Sequence, residues 1–245
     1  MNIGGIQKFS LIDYPEKIAA LLFTQGCNFR CPFCHNPELV LPEKFGPLIR
    51  EEDIFAWLQK RRGQLEGIVV TGGEPTLHSD LPEFMAKIKA LGFSLKLDTN
   101  GSNPQMLGKL INSGLVDFVA MDVKAPLNKY STLCGTGCDL LAIKESIELI
   151  ISSGLKHQFR TTLVRPLLEY DDVAEIMELI RGSKSFRIQK FVNSGKVLDP
   201  SLLSRNQFSL DQFDELQKTI ETKMKIACSQ PLPEFSLSPD QAECV

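Results

Sequence analysis

Three cysteines stand close together between Gly26 and Pro37: Cys27, Cys31 and Cys34, in the spacing C-x3-C-x2-C. Clustered thiolates select soft metals, and iron–sulfur clusters are normally held by cysteine sulfur. Thiolates so spaced can wrap three irons of a cubane and leave the fourth iron without a protein ligand, open to a substrate or cofactor. Gly26, Pro32 and Pro37 keep the segment looped so that the sulfurs can converge. Other chemistries compete for the same residues. A zinc loop with His35 as fourth ligand would make adjacent Cys34 and His35 tetrahedral partners, whereas the usual zinc spacing has two separated pairs. Cys31-Pro-Phe-Cys34-His35 also fits the C-x-x-C-H haem attachment pattern, which requires export to an oxidising compartment. Unrelated core thiols would not be this dense by chance. The loop reads best as a cluster-binding site.

Further polar groups follow at intervals. Gly72-Gly73-Glu74 reads either as a plain tight turn or as a place where absent side chains let a ligand's ammonium approach the backbone. Asp98 opens Asp-Thr-Asn-Gly, which is good turn chemistry in its own right. Lys124 lies two residues after Asp122 and points to the same rim if the strand continues; otherwise it is a solvated loop lysine. Arg160 can face the site or pair with a rim acid. Cys134 and Cys138, with Cys228 and Cys244 in the tail, form no tight triplet and read as isolated thiols rather than as an auxiliary cluster.

The elements that must position these groups alternate regularly. Apolar runs at 18–23, 67–71, 93–97, 115–121, 157–163 and 186–191 read as strands, the first two of them as buried strands. Between them lie helical patterns at 52–62, 81–91, 102–111, 140–150 and 170–180, with another at 210–226. Asp80 and Glu83 match a capping box for the second of these, whose stripe is Leu81, Phe84, Met85, Ile88 and Leu91. Ser102 starts the third, and the segment 125–137 reads as irregular. Strand–helix alternation calls for a parallel sheet with helices outside. The cysteine loop, Gly72 to Glu74, Asp98 to Gly101, and Asp122 with Lys124 all fall after strands, on the C-terminal rim where (β/α) barrels carry their sites.

Bulk properties narrow the class. The chain of 245 residues, 43% hydrophobic and 23% charged with a net charge of −3, is expected to form a single domain over 1–245. Its core spans about 15–195, and a C-terminal helix and tail occupy 196–245. Mixed charge gives no sign of a nucleic-acid or membrane partner. No apolar run approaches a membrane span, and the start lacks a signal-peptide pattern, so a cytoplasmic protein is expected. Seven cysteines then point to metal or redox chemistry rather than to structural disulfides.

C-x3-C-x2-C with Phe33 before the last cysteine resembles the signature of the radical S-adenosylmethionine superfamily. The block SLIDYPEKIAALLFTQGCNFRCPFCHNPEL resembles the activating proteins of anaerobic ribonucleoside-triphosphate reductase, a branch of the glycyl-radical activases. The likeness extends from about Ile3 to Phe191. It implies an α/β fold, an open three-quarter (β/α)6 barrel, and a 4Fe–4S cluster on Cys27, Cys31 and Cys34 with one open iron. It implies that S-adenosylmethionine sits on that iron, its amino group near Gly72, Gly73, Glu74 and Asp98 and its carboxylate near Lys124. Phe33 would stack near the adenine, and His35 would lend backbone contacts to the cofactor or else serve as packing. The implied partners are a glycyl-radical enzyme, anaerobic ribonucleotide reductase, as protein substrate, and a low-potential electron donor such as flavodoxin or ferredoxin. Pyruvate formate-lyase activases carry a histidine on the last barrel strand, and Phe191 to Lys196 contains none. A small-molecule radical enzyme and a non-catalytic iron–sulfur electron carrier are the alternatives.

Overall fold

The computed structural model describes residues 1–229 except Ser194 and Asn206, with side chains to Met224. Cys228 and Cys244, weighed above as ligands, therefore lie outside the described side chains. The elements run β1 (Ile3–Ser10), β2 (Ala19–Thr24), α1 (Pro37–Val40), α2 (Glu51–Arg61), β3 (Gly67–Gly72), α3 (Leu81–Ala90), β4 (Ser94–Thr99) and α4 (Pro104–Asn112). They continue with β5 (Phe118–Asp122), α5 (Tyr130–Cys134), α6 (Leu140–Ser152), β6 (Lys156–Leu163), α7 (Tyr170–Leu179), β7 (Phe186–Lys190) and α8 (Leu210–Ser229).

The strands form one seven-stranded sheet in sequence order. β2 to β7 are parallel, and β1 runs antiparallel along β2. β1 and β7 do not pair, so the sheet curls without closing. The six parallel strands are the six expected from the apolar runs, and β1 is an addition that the sequence pattern did not announce.

Local signals differ from expectation in three places. Asp80 precedes α3 without making a side-chain cap; its carboxylate pairs with the Met1 amino group, while Glu83 pairs with Lys87. The α4 cap is Asn103, whose side chain accepts from Met106 N–H at 3.1 Å, so the helix starts later than Ser102. The segment 125–137 contains a short 3-10 turn at Leu127–Lys129 followed by α5, anchored by fully buried Tyr130.

Strand alternation sorts the core into two layers. Ala20, Leu22, Ile68, Val70, Leu95, Leu97, Val119 and Met121 face the helices and pack with Leu58, Phe84, Ile88, Leu110 and Ile147. The intervening Ala19, Leu21, Val69, Phe118 and Ala120 face inward and form a separate cluster with Tyr14 and Phe23. The same inward faces continue toward the C-terminal ends as Lys96 and Asp98 on β4, Asp122 on β5, and Arg160 on β6, which is in register with Asp122. The barrel interior thus changes from apolar to charged along the length of its strands.

Candidate functional site

The cysteine loop leaves β2 at the C-terminal rim and is sewn to the turn after β3. Gly26 N–H donates to Leu39 C=O at 2.8 Å, and Gly26 C=O accepts from Glu74 N–H at 2.8 Å. A Cβ on Gly73 would lie 2.0 Å from the Gly26 carbonyl oxygen, and one on Gly72, whose φ is +114°, would lie 2.3 Å from Thr24 N. Contact between two backbones therefore demands both glycines before any ligand is considered, a reason for the motif that the sequence alone did not supply. Inside the loop, Cys34 N–H donates to Cys31 C=O at 2.9 Å and Phe29 N–H reaches Cys27 Sγ at 3.4 Å. Arg30 braces it from within, donating from Nη1 to the carbonyls of Cys27 and Phe29 at 2.6 and 2.8 Å.

One cavity of about 270 Å³ opens beneath this loop. All ten residues picked from the sequence line it: Cys27, Cys31, Phe33, Cys34, His35, Gly72, Gly73, Glu74, Asp98 and Lys124. Asn100, Asp122, Arg160, Thr162 and Gln189 line it as well. Arg160 fulfils both of its sequence readings, facing the site and pairing with rim acids, whereas nothing in the sequence by itself marks Asn100, Thr162 or Gln189 as site residues. Arg160 and Thr162 sit two apart on β6, the period-2 signal that would have found the second from the first.

The floor of the cavity is a chain of paired charges. Lys96 pairs with Asp98, and Arg160 reaches Asp98 through Nη1 at 3.2 Å and Asp122 through Nε at 2.8 Å. Lys124 Nζ closes the chain on Asp122 at 3.0 Å. Burial alone would push the Asp122 carboxyl up, but the charges of Arg160 and Lys124 more than offset it and hold it well below the usual carboxylate range. Burial would likewise pull the Lys124 ammonium down, and Asp122 with Cys31 keeps it above the ordinary lysine value. Lys96 has lost more to burial than Asp98 returns, and its pKa is lowered.

Glu74 is engaged by the protein itself. It is 1% exposed, and its carboxylate accepts from Thr76 N–H at 3.1 Å, Thr76 Oγ1 at 2.5 Å, Thr99 Oγ1 at 2.7 Å and Asn100 N–H at 2.6 Å. It ties the turn after β3 to the turn after β4. Burial pushes its pKa up, and these donors pull it part of the way back. Asn100 carries the tie onward, donating from Nδ2 to Asn28 Oδ1 at 3.0 Å and lying 4.0 Å from Cys27 Sγ.

On the other wall Phe33 is buried, and His35 stacks on Phe191 with ring centroids 5.2 Å apart. His35 Nδ1 is buried and has no hydrogen-bond partner among the described residues, and burial lowers the imidazole pKa. Such a polar atom at a cavity wall is a place for a ligand to satisfy.

The donor set fits a soft cluster. The three cysteines carry free thiols. Burial pushes Cys27 up to about 11, Cys31 to about 12 and Cys34 upward, against the opposing charge of Lys124. Thiols held this way become thiolates when a metal takes the proton's place. Among the described residues no three His, Cys, Asp or Glu side chains are grouped around a point that could hold one metal ion. The sulfurs instead line a shared cavity, the disposition a cluster needs when each thiolate binds a different iron.

Comparison with known proteins places this architecture. A profile of the radical SAM superfamily matches residues 21–181. A protein of Methanocaldococcus jannaschii named as a glycyl-radical enzyme activating enzyme is 35% identical over 199 residues, covering 77% of this chain and 79% of its own length. The pyruvate formate-lyase-activating enzyme of Listeria monocytogenes is 30% identical over 133 residues, covering 50% of this chain and 53% of that one. Among solved structures, Streptococcus suis SuiB bound to S-adenosylmethionine superposes with a TM-score of 0.64 at 15% identity, over 82% of this chain and 45% of that chain. The chain thus matches less than half of the SuiB chain, and at that identity the likeness is one of fold. No helix among the described residues is long and apolar enough to cross a membrane.

Proposed function

The chain belongs to the radical S-adenosylmethionine superfamily and, within it, to the glycyl-radical enzyme activating enzymes, and from that premise we propose that it activates an anaerobic ribonucleoside-triphosphate reductase. The observation that carries this reading is the convergence of the three thiols, the glycine turn and the paired charges on one cavity at the C-terminal rim. Cys27, Cys31 and Cys34 would hold a 4Fe–4S cluster with one open iron. Asp98, Lys124 and the backbone of Gly72 and Gly73 would take the charged methionine end of S-adenosylmethionine, with Phe33 and His35 toward the adenine. When bound, these groups supply a low-potential electron and a 5′-deoxyadenosyl radical able to take a hydrogen atom from a glycine Cα of the partner.

The protein's own part is orientation and charge. Lys124 presents an ammonium fixed by Asp122, and Asp98 presents a carboxylate fixed by Lys96 and Arg160. Charges set in place before the ligand arrives cost no reorganisation when it does. Glu74 and Asn100 hold three rim loops at constant separation. The barrel is open between β1 and β7, which leaves a route for a peptide loop. A docked glycine loop would complete the wall and exclude water during the radical step.

The choice of reductase over formate-lyase rests on the last strand. β7 turns Gln189 to the cavity, and the chain's histidines are His35, His78 and His157, none of them on β7. A flavodoxin or ferredoxin fits the need for a low-potential donor. The test mixes the reduced protein, free of oxygen, with S-adenosylmethionine and the reductase from the same cell. A glycyl doublet in the electron paramagnetic resonance spectrum of the reductase is expected. Glycine deuterated at Cα should pass deuterium to 5′-deoxyadenosine. Cofactor cleavage with no glycyl signal on the reductase would move the assignment to another glycyl enzyme or to a small-molecule substrate.

A further inference from the structure

Cys134 and Cys138 are not isolated from each other. Cys134 ends α5 and is buried; Cys138 is half-buried, and the neighbouring Cys134 adds to burial in pushing its thiol up. Both sulfurs gather at Ser131. Cys134 Sγ lies 3.6 Å from the Ser131 carbonyl oxygen and 3.1 Å from that of Thr136, and Cys138 Sγ lies 3.9 Å from Ser131 Oγ. The three residues between them are Gly135, Thr136 and Gly137, and a Cβ on Gly137 would meet nothing within 4 Å. The space around Gly137 gives the turn room to close a short ring.

The same segment clasps the cysteine loop. Arg30 N–H donates to Cys134 C=O at 2.7 Å, and Thr136 Oγ1 donates to Asn28 C=O at 3.2 Å. Gly135, with φ +67°, packs so closely that a Cβ would lie 2.0 Å from the Arg30 carbonyl oxygen. Asn28 and Arg30 lie between Cys27 and Cys31, so displacement of 134–136 is felt where two of the three thiols are set.

We propose that Cys134 and Cys138 form a thiol–disulfide exchange site whose substrate is a low-molecular-weight disulfide, and whose oxidised form loosens the clasp on the cysteine loop. The more exposed Cys138 loses its proton and attacks one sulfur of the disulfide. A mixed disulfide forms, and the departing thiolate takes up the proton. Cys134 then loses its proton and attacks the Cys138 sulfur, forming the internal disulfide and expelling the second thiolate, which is protonated in turn. Two protein thiols are oxidised, and one disulfide is reduced to two thiols. Drawing the sulfurs to a bond of about 2.05 Å pulls on the residues that hold Arg30 and Asn28. Burial and Cys134 push the Cys138 thiol up to about 11, so exchange should quicken about tenfold per pH unit through the neutral range.

The test uses the full chain loaded with its cluster, under oxygen-free conditions at alkaline pH, with glutathione disulfide as probe, alkylation as quench and peptide mass as readout. The unaltered protein should yield a Cys134–Cys138 link and no glutathione adduct. Cys134→Ser should stop at a glutathione adduct on Cys138, and Cys138→Ser should leave Cys134 unmodified. A lasting adduct on Cys138 of the unaltered protein, a link to Cys27, Cys31 or Cys34, or no reaction would overturn the exchange site. Iron release to a chelator should be several-fold faster after oxidation, reversed by dithiothreitol and absent in Cys138→Ser; unchanged release would overturn the coupling. The mass readout involves no radical chemistry, so it stands or falls apart from the assignment of a glycyl-enzyme partner.

Discussion

The two ends of the barrel interior are made by the same strands and share almost no chemistry. At the N-terminal end Ala19, Leu21, Val69, Phe118 and Ala120 close around Tyr14. One or two turns of the pleat further on, the same inward faces carry Asp98, Asp122, Arg160 and Lys124, roofed by the cysteine loop. The lower end is self-supporting, because each buried apolar side chain contributes about 1.5–3 kcal/mol without needing a specific partner. The upper end must offset a desolvation penalty of several kcal/mol per ion with pairing of good geometry. A hydrophobic filling would hold the barrel at least as well. The difference teaches that the upper layer carries charge beyond what the fold requires, while the lower one is built for stability.

The largest effect that tests this contrast is a swap of consequences. Cys31→Ala should abolish cofactor cleavage and the cluster's visible absorbance while leaving thermal stability of the metal-free protein nearly unchanged. Leu21→Ala should do the reverse, keeping the absorbance at low temperature and costing about 2–5 kcal/mol in a denaturant titration. Cleavage at the normal rate in Cys31→Ala would break the contrast at its most important point.

Arg160 sharpens the argument about charge. Removing it alone leaves Asp98 and Asp122 each short of a partner, so Arg160→Met should destabilise by about 3–5 kcal/mol. Replacing the whole chain of charges, with Lys96→Met, Asp98→Asn, Asp122→Asn and Lys124→Met added to Arg160→Met, leaves no buried charge unpaired and should recover much of that loss in stability and none of the affinity for S-adenosylmethionine. A fivefold variant no more stable than Arg160→Met would mean that the layer holds the fold as well as the ligand. Asp98→Ala and Lys124→Ala, taken singly, each delete one charge-assisted contact worth about 1.5–3 kcal/mol, hence roughly ten- to a hundredfold in binding. Calorimetry on cluster-loaded protein measures this directly, and unchanged affinity in both would remove them from the ligand's charged end.

Much of this was legible from residues alone, because the signals were local. Six parallel strands follow from apolar runs, and the rim follows from polar groups placed after each run. What stayed hidden depends on contacts between distant segments. β1 holds Gly4 and Gly5, poor strand formers, and becomes a strand only by pairing with β2. The Asp80 box fails because a charge from outside the helix takes its carboxylate. Lys96 and Asp98 share a face by period, as do Asp122 and Lys124, yet only the sheet's curl turns both faces inward so that Arg160 can span them. Cys134 and Cys138 both approach Ser131, which the spacing in the sequence does not announce.

The smallest predicted effect belongs to the lower end, at His157. It is 7% exposed, at the N-terminal end of β6, and by register lies on the helix-facing side with Val119. Nδ1 lies 2.8 Å from the Leu155 carbonyl oxygen, and Nε2 lies 3.5 Å from Lys184 N–H and 3.4 Å from Ser183 Oγ. The carbonyl requires a proton on Nδ1, which leaves Nε2 as the acceptor of a neutral imidazole. Phe159 covers one edge of the ring, and the Lys184 charge stands nearby. Burial lowers the pKa from 6.5, the Leu155 contact opposes this, and Lys184 adds to the lowering. A base whose folded pKa is depressed binds fewer protons folded than unfolded. Its contribution to stability is therefore complete above the unfolded value of 6.5 and is lost as pH falls through the folded value. His157→Gln keeps an amide donor and acceptor but cannot titrate. The melting temperature of the unaltered protein should fall by a few degrees more than that of His157→Gln between pH 7.5 and pH 5.5, roughly the window on either side of the ordinary histidine pKa. Equal falls would mean that the lower end is indifferent to charge at this position. The contrast between the two ends would then rest on the apolar floor alone.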